Sequence, residues 1–271
     1  MWKIKRAKYL GLFLAAFFIA GVCTHFLFIQ KSFSQLSVLS LKERYRSAIQ
    51  DAALVEPNKI VNNLISVSQD NNLIVWNENK TKVLVVTWKS KSTYENYIMP
   101  YNNASEKEDR LIWVTVAPQL KDFCHEYLKN NPQSTEEELK LRLKQYLGLD
   151  PDWKYDVFVE MWVSPQDMFR PCTNPDITER GCKTDFEAVT PKVVGITNGS
   201  GIKDYQLFYQ NLYFKSIRSG TQPWTGLGYT YDWGSSDSHH VGASEFILVP
   251  GAAYTIKQAI PTMNYCHSSV P

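Results

Sequence analysis

The 271-residue sequence lacks the basic character that nucleic-acid binding requires. Five of its 29 Lys and Arg residues lie in residues 1–32, which contain no acidic residue. Residues 33–271 therefore hold 24 basic and 27 acidic residues. Phosphate backbones are bound through clustered basic side chains, so we do not expect nucleic acid as a partner.

The sequence also lacks the short motifs of common enzyme classes. It contains no G-x-S-x-G nucleophile motif, no P-loop, no dinucleotide-binding glycine motif and no HExxH zinc motif. It has no visible internal repeat, and hydrophobic residues (44%) and charged residues (21%) are close to globular averages. We expect a folded body without a cofactor, and the sequence favours a protein that is not an enzyme.

One long hydrophobic run lies near the N terminus. Residues 9–29 carry no formal charge and are bounded by basic residues on both sides. A helix of this length spans about 31 Å, enough for a bilayer core of about 30 Å. The basic residues that precede the run place the N terminus in the cytoplasm. The pattern predicts a cytoplasmic tail over residues 1–8 and a signal anchor over 9–29, with the lipid bilayer as its partner.

Two processing alternatives remain open for this run. A cleaved signal peptide needs a short apolar core, which residues 10–22 supply, but the A-x-A cleavage pattern is missing. Lipidation at Cys23 would require a small residue before the cysteine, and Val22 stands there instead. We favour the retained anchor, which leaves the rest of the chain outside the cytoplasm.

The predicted fold class is α+β, with one N-terminal transmembrane helix followed by a single extracytoplasmic domain of mixed sheet and helix. Residues 30–57 predict a juxtamembrane helix, and residues 58–271 the domain itself. The clearest helix signal is STEEELKLRLKQYLG, where Ser134 and Glu137 predict a capping box and Gly148 the end of the helix. Other periodic segments predict a hairpin over 72–88, strands over 111–116, 155–163, 244–249 and 253–259, and helices over 117–129 and 205–218.

The five cysteines predict crosslinks. Cys23 lies in the hydrophobic run, which leaves four cysteines in the domain. Cys172 and Cys182 enclose a short loop of turn-forming residues and are the natural local pair. Cys124 would then pair with Cys266. Two disulfides agree with an oxidising compartment.

A zinc site is the alternative for one of these pairs. Cys124-His125 and Cys266-His267 together supply two thiols and two imidazoles. Adjacent side chains point apart on strands and on helices, and C-x-x-C spacing is absent. We therefore expect no metal site.

The segment PWTGLGYTYDWG, residues 223–234, is the most unusual in composition. If it is extended, Tyr229, Tyr231 and Trp233 lie on one face, close to Trp224 in the sequence. Such a row of rings can stack on a sugar or on a partner surface. The alternative is that the rings belong to the core, since aromatic residues favour strands on packing grounds. Trp224, Tyr229, Tyr231 and Trp233 are our candidate binding residues.

A polar segment follows and supplies candidate catalytic residues. His239 and His240 are adjacent, with Asp232 and Glu245 nearby in the sequence. Imidazoles beside carboxylates can form an acid/base pair. Adjacent histidines in a loop rich in Ser and Gly are also typical of solvated residues, so this interpretation is the alternative.

Several segments carry a family resemblance. They are WVTVAPQLKDFC, FVEMWVSPQDMFRPC with the following GC, PWTGLGYTYDWG and GASEF, within residues 110–266. In these segments the chain resembles a group of single-pass membrane proteins of cyanobacteria that has no assigned activity. The resemblance implies a location in the periplasm or thylakoid lumen and assigns no catalytic residue.

Together these features predict a membrane-anchored extracytoplasmic binding or assembly protein. Its contact surface is expected around residues 223–234 and the 172–182 loop, with a protein or a glycan as partner. The alternative is a cell-envelope hydrolase, acting on glycan, that uses the region of His239, His240, Asp232 and Glu245.

Overall fold

The computed structural model describes residues 40–107, 109–188 and 202–267. The chain divides into two compact units, Met1–Arg44 and Tyr45–Pro271. The predicted tail and anchor, residues 1–29, lie outside the described residues. Within the ranges that are described, no helix combines the length and the apolar composition needed to cross a membrane.

The second unit alternates short helices and strands. Its helices are α1 (residues 40–52, beginning in the first unit), α2 (Lys91–Tyr97), α3 (Ala117–Asn130), α4 (Glu136–Tyr146), α5 (Tyr205–Tyr213) and α6 (Thr262–His267). Its strands are β1 (Val83–Lys89), β2 (Trp113–Val116), β3 (Val157–Val163), β4 (Met168–Phe169), β5 (Tyr229–Tyr231), β6 (Val241–Ser244), β7 (Phe246–Leu248) and β8 (Tyr254–Pro261). A π-helical turn, Phe214–Arg218, extends α5.

A six-stranded sheet with the order β4-β7-β2-β1-β3-β8 organises this unit, and every neighbouring pair is antiparallel. Strand β1 lies inside the sheet and pairs with β3 along its whole length, from Val83 opposite Val163 to Lys89 opposite Val157. Its sequence VLVVTWK is rich in β-branched residues, as a strand buried on both faces requires. Strands β5 and β6 form a separate two-stranded ribbon. The mixed α+β fold class is confirmed.

Helices α3, α4 and α6 share the main hydrophobic core with β1 and β3. The core includes Leu84, Val86 and Trp88 of β1, Leu120, Cys124 and Leu128 of α3, Leu139 and Leu143 of α4, Phe158 of β3, and Tyr265 and Cys266 of α6. Two aromatic side chains of this core have paired polar atoms, as expected because an unpaired buried donor is costly. Trp88 Nε1 donates to Thr262 Oγ1 over 2.9 Å, and the Tyr265 hydroxyl donates to the Ala117 carbonyl over 3.1 Å.

Both predicted disulfides are present. Cys124 and Cys266 join α3 to α6 with Cα atoms 5.2 Å apart, and Cys172 and Cys182 close their loop with Cα atoms 6.2 Å apart. The two thiols of the alternative zinc site are therefore bonded to each other. His125 Nδ1 lies 3.3 Å from the Cys266 carbonyl oxygen.

Two local predictions needed a shift. The capping box of α4 is formed by Thr135 and Glu138, one residue later than predicted, since the helix begins at Glu136; the Ser134 hydroxyl donates to the Tyr127 hydroxyl. The hairpin over 72–88 is partly formed: its second arm is β1, and its first arm is joined to it by the Trp76–Val83 bridge and by backbone hydrogen bonds from Leu84 to Val75 and from Asn77 to Lys82.

The second half of α1 belongs to the folded body. Tyr45, Ile49 and Ala52 are buried, and Asp51 accepts a hydrogen bond of 2.8 Å from the Tyr231 hydroxyl. The compact unit thus begins at Tyr45, before the predicted domain boundary at residue 58.

Candidate ligand-binding cavity

The aromatic segment over residues 223–234 is folded inward. Tyr229 is 1% exposed and Trp233 4%, and Trp224 and Tyr231 are equally buried. Strand β5 keeps Tyr229 and Tyr231 on one face, as the alternation predicts, but that face packs against the core and Thr230 between them is the more exposed residue. These rings support the core and offer no stacking surface to solvent.

Hydrogen bonds fix these rings to neighbouring elements. Tyr229 donates to the Lys59 carbonyl over 3.0 Å, and Trp233 Nε1 donates to the Leu149 carbonyl over 3.2 Å. In the 172–182 loop both cysteines are buried, whereas residues 178–180 are exposed. Of the two predicted contact regions, only this loop presents side chains to solvent.

Three of the four candidate catalytic residues have structural partners. Asp232 accepts two hydrogen bonds from Arg142, and it is buried. The His240 ring stacks on Tyr231 with a centroid distance of 4.7 Å. His239 is exposed, with Nδ1 3.2 Å from an Asp237 carboxylate oxygen.

Glu245 lies apart from the histidines, next to the buried Arg170. The Arg170 guanidinium stacks 4.6 Å above the Phe246 ring and donates to the carbonyls of Gly228 and Ile65. Burial raises the pKa of Glu245 to about 8, although Trp224 and Arg170 act in the opposite direction. No group of three or more His, Cys, Asp or Glu side chains converges among the described residues.

A cavity of about 700 Å³ opens beside the end of β1. This volume lies within the range of small-molecule sites. Its walls come from the end of β1, from α2 and from the segment that leads into β2. The described lining residues are Lys89, Thr93, Tyr97, Ile98, Tyr101, Asn103, Ala104, Ser105, Arg110, Leu111 and Ile112.

Lys89 is the unusual residue of this cavity. It is partly buried, and its ammonium group makes no hydrogen bond or ion pair with any described residue. Burial alone lowers the pKa of Lys89 from 10.5 to about 8. Lys89 is of intermediate exposure and its Nζ is not fully enclosed, so the ammonium remains accessible to a bound group. An unpaired lysine facing a cavity is therefore a candidate functional group.

The charge and the surface of the cavity favour an amphipathic anion. Lys89 and Arg110 are basic, and none of the described lining residues is acidic. Tyr97 and Tyr101 are 64% and 58% exposed, so their rings are available to an apolar group. Thr93, Asn103 and Ser105 supply hydrogen-bonding atoms.

One feature of the sequence indicates this site weakly, although the spacing of apolar residues does not reveal it. The run VLVVTWK predicts a buried strand, and its last residue is a lysine at the end of a strand that has neighbours on both sides. Charged residues are seldom buried without a partner, so a lysine that ends a core strand is informative. Its cavity depends on α2 and on residues 98–112, and these overlap the polar segment 94–109, for which the sequence predicts an exposed loop.

The cavity offers a cation, aromatic rings and hydroxyl and amide groups, which are groups that can bind a small anion. Comparison of the chain with family models, curated proteins and solved structures finds no match.

Proposed function

We propose that this protein is a membrane-anchored extracytoplasmic binding protein whose cavity at Lys89 holds a small anionic ligand. The observation that carries the proposal is the unpaired Lys89 ammonium beside a cavity of 700 Å³. A bound carboxylate would give that ammonium the partner it lacks within the described residues. Charge-assisted hydrogen bonds of this kind are about twice as strong as neutral ones.

The shape of the ligand follows from the other lining residues. Ile98, Leu111 and Ile112 offer apolar surface beside the exposed rings of Tyr97 and Tyr101. Burial of apolar area is favourable by about 25 cal/mol per Å². A compact hydrocarbon group that carries one carboxylate therefore fits this cavity better than an inorganic anion does.

The compartment is part of the same proposal. Disulfides persist in oxidising compartments, and two disulfides are present here. With residues 9–29 as an anchor and the N terminus in the cytoplasm, the domain lies in a periplasm or thylakoid lumen. The resemblance to cyanobacterial single-pass proteins has the same implication, and it remains a prediction.

The alternative of a cell-envelope hydrolase receives less support. Glycoside hydrolysis generally uses two carboxyl groups on either side of the scissile bond. Asp232 is bonded to Arg142, and neither Asp232 nor the two histidines line the Lys89 cavity. We therefore favour binding over catalysis.

Titration of the full-length protein in detergent with cyclohexanecarboxylate tests the proposal. We expect saturable binding in calorimetry for the wild type. Lys89→Met should weaken it by roughly 10- to 100-fold, because a hydrogen bond to a charged group contributes about 1.5–3 kcal/mol. Lys91→Met is the matched control, since Lys91 is exposed and forms only a long contact of 3.8 Å with Glu95.

The binding results for the wild type and the two variants distinguish support for the proposal from its failure. Equal affinities for wild type and Lys91→Met, with weaker binding by Lys89→Met, support the proposal. No saturable binding by the wild type, or equal binding by Lys89→Met, would overturn it.

A further inference from the structure

Helix α5 and the π-helical turn that extends it present large apolar side chains to solvent. Leu207 is 54% exposed and Phe214 51%, and Tyr213 beside them is exposed as well. Leu207 and Phe214 are seven residues apart and lie on the side of the helix opposite Phe208, whose ring is buried 5.6 Å from that of Phe169. Single exposed apolar residues are ordinary, but three within eight residues indicate an interaction surface. We name Leu207, Tyr213 and Phe214 the α5 patch.

Basic residues flank the α5 patch on both sides along the chain. Lys203 precedes it and Lys215 follows it, and both are exposed. Among residues 202–218 the one acidic residue is Asp204, whose carboxylate caps α5 by accepting a hydrogen bond of 3.0 Å from the Leu207 amide. Apolar side chains between lysines are typical of helices that lie in the interface of an anionic membrane. The charge of this surface therefore complements lipid phosphate groups.

The α5 patch lies close to the point where the chain enters the second compact unit. This unit begins at Tyr45, whose hydroxyl donates to the Thr221 carbonyl over 3.0 Å. The Thr221 hydroxyl donates in turn to the Lys215 carbonyl over 2.7 Å. Two consecutive hydrogen bonds thus connect Tyr45 to the residue that follows Phe214.

The length of chain before Tyr45 limits how far this surface can move from a membrane. The expected anchor ends at residue 29, and 15 residues separate it from Tyr45. This segment covers about 24 Å as a helix and about 55 Å when fully extended. Tethering keeps lipid at a high local concentration around the α5 patch, so a contact of a few side chains needs little affinity of its own.

We propose that the α5 patch is a second contact of this domain with an anionic lipid bilayer. Leu207 and Phe214 enter the boundary between headgroups and acyl chains, while the two flanking lysines bind lipid phosphates. Tyr213 lies at the level of the headgroups, where an apolar ring with a polar hydroxyl is favoured. The contact gives the domain a fixed orientation on the membrane. This inference rests on the anchor in the proposed function and is independent of the Lys89 cavity.

A fluorophore within the α5 patch tests the contact. Asn211 is exposed and lies between Leu207 and Phe214, so Asn211→Cys can carry an NBD label while both apolar side chains remain. Cys23→Ser is present throughout, because the other four cysteines form disulfides. The full-length protein is reconstituted in nanodiscs of phosphatidylcholine and phosphatidylglycerol that contain a lipid with a nitroxide near its headgroup. We expect blue-shifted emission and quenching by the nitroxide for the label at residue 211. A label at Glu137→Cys, exposed on α4, should emit as NBD does in water.

Two pairs of substitutions separate the apolar part of the contact from its electrostatic part. Leu207→Ser with Phe214→Ser removes the inserted groups and should abolish quenching at residue 211. Lys203→Gln with Lys215→Gln should lower the ratio of quenched to unquenched label by about 25-fold, because each lysine near an anionic surface contributes about fivefold. Nanodiscs of phosphatidylcholine alone should reduce quenching of the unsubstituted surface in the same way. All four side chains are exposed, and thermal unfolding of each variant checks that the fold is intact.

Lys91→Gln with Lys129→Gln is the matched control, because both lysines are exposed and lie outside α5. Quenching at residue 211 that survives in this control, but requires the α5 patch and anionic lipid, supports the inference. Emission as in water at residue 211 would overturn it. So would a blue shift without quenching, which means that a protein partner or a second copy covers the patch, and so would equal quenching of the label at Glu137→Cys.

These results are distinguishable from failure of the proposed function. A full-length chain that stays outside the nanodiscs overturns both the anchor and the lipid contact of α5. A chain that enters the nanodiscs without quenching at residue 211 overturns the α5 contact alone, and the anchor and the Lys89 cavity stand.

Discussion

Arg142 binds the carboxylate of Asp232 through two hydrogen bonds of 2.8 and 2.7 Å. The pair connects α4 to the residue that follows β5, and the Arg142 guanidinium also lies 4.8 Å above the Phe123 ring. Asp232 is nearly fully buried, and Arg142 satisfies both of its carboxylate oxygens. A carboxylate held in this way stabilises the fold and is not available as a base.

We expect Asp232→Ala to lower the free energy of unfolding by about 2–4 kcal/mol, because it leaves a partly buried guanidinium without its partner. Urea denaturation followed by tryptophan fluorescence would measure this loss. Asp237→Ala is the control, since Asp237 is exposed, and it should change stability by less than about 0.5 kcal/mol. Equal stabilities for the two variants would contradict a structural role for Asp232.

The features that the sequence predicted well depend either on a local residue pattern or on a choice among a few possible cysteine pairings. Helix α4 follows from apolar spacing and a nearby cap, and the cap shifted by only one residue, to Thr135. The disulfides followed from four cysteines and one short loop. Each of these inferences needed little information about distant parts of the chain.

The site could not be predicted in the same way. The rings of residues 223–234 read equally well as an exposed row or as core, and the choice depends on contacts such as Tyr231 with Asp51, 180 residues apart. Lys89 acquires its cavity only when α2 and residues 98–112 fold beside β1. Burial of a charged residue is a property of the assembled fold, which periodicity does not encode.

Ligand binding at Lys89 should depend on pH. With a pKa of about 8 in the free protein, Lys89 is largely protonated at pH 7. A bound carboxylate favours the charged form and raises this pKa. Affinity should therefore be constant below pH 8 and fall by up to about tenfold per pH unit above it, until the pKa of the bound state is reached.

Calorimetry with cyclohexanecarboxylate between pH 6 and 10 would measure this profile. Lys89→Arg keeps its charge throughout the range and should bind with a flat profile. A flat profile for the wild type would show that the charge of Lys89 does not control binding.

Glu245 should make folding stability fall as pH rises. Its pKa is about 8 in the folded protein and 4.5 in the reference state. Between these values the folded state binds a proton that the unfolded state lacks, so the free energy of unfolding decreases from pH 4.5 to 8. Glu245→Gln removes this titration and should be more stable than the wild type at pH 8, with little difference at pH 4.5.

Denaturation at pH 5, 6.5 and 8 would test this prediction. Glu137→Gln is the matched control, because the Glu137 side chain is exposed on α4. Parallel pH profiles for the wild type and Glu245→Gln would show that Glu245 does not titrate in this window.

The two disulfides should differ in their effect on stability. Cys124 and Cys266 are 142 residues apart, and Cys172 and Cys182 are 10 apart. Loop-closure entropy predicts a contribution of about 5 kcal/mol for the long crosslink and about 3 kcal/mol for the short one. Replacement of each pair by serine, followed by denaturant titration, would compare them. A larger loss for the short pair would point to native-state contacts of its loop.

The orientation of the chain can be tested with the charges that predict it. An alkaline phosphatase reporter at the C terminus of the full-length protein is active only where its own disulfides form, so we expect activity outside the cytoplasm.

Lys3, Lys5, Arg6 and Lys8 precede the hydrophobic run. Their replacement by neutral residues removes the charge bias and should lower reporter activity through inverted or failed insertion. Substitution of the same number of basic residues within 203–257 is the control and should leave activity unchanged, because distant charges contribute little to orientation. Reporter activity confined to the cytoplasm for the unmodified chain would contradict both the anchor and the extracytoplasmic binding role that depends on it.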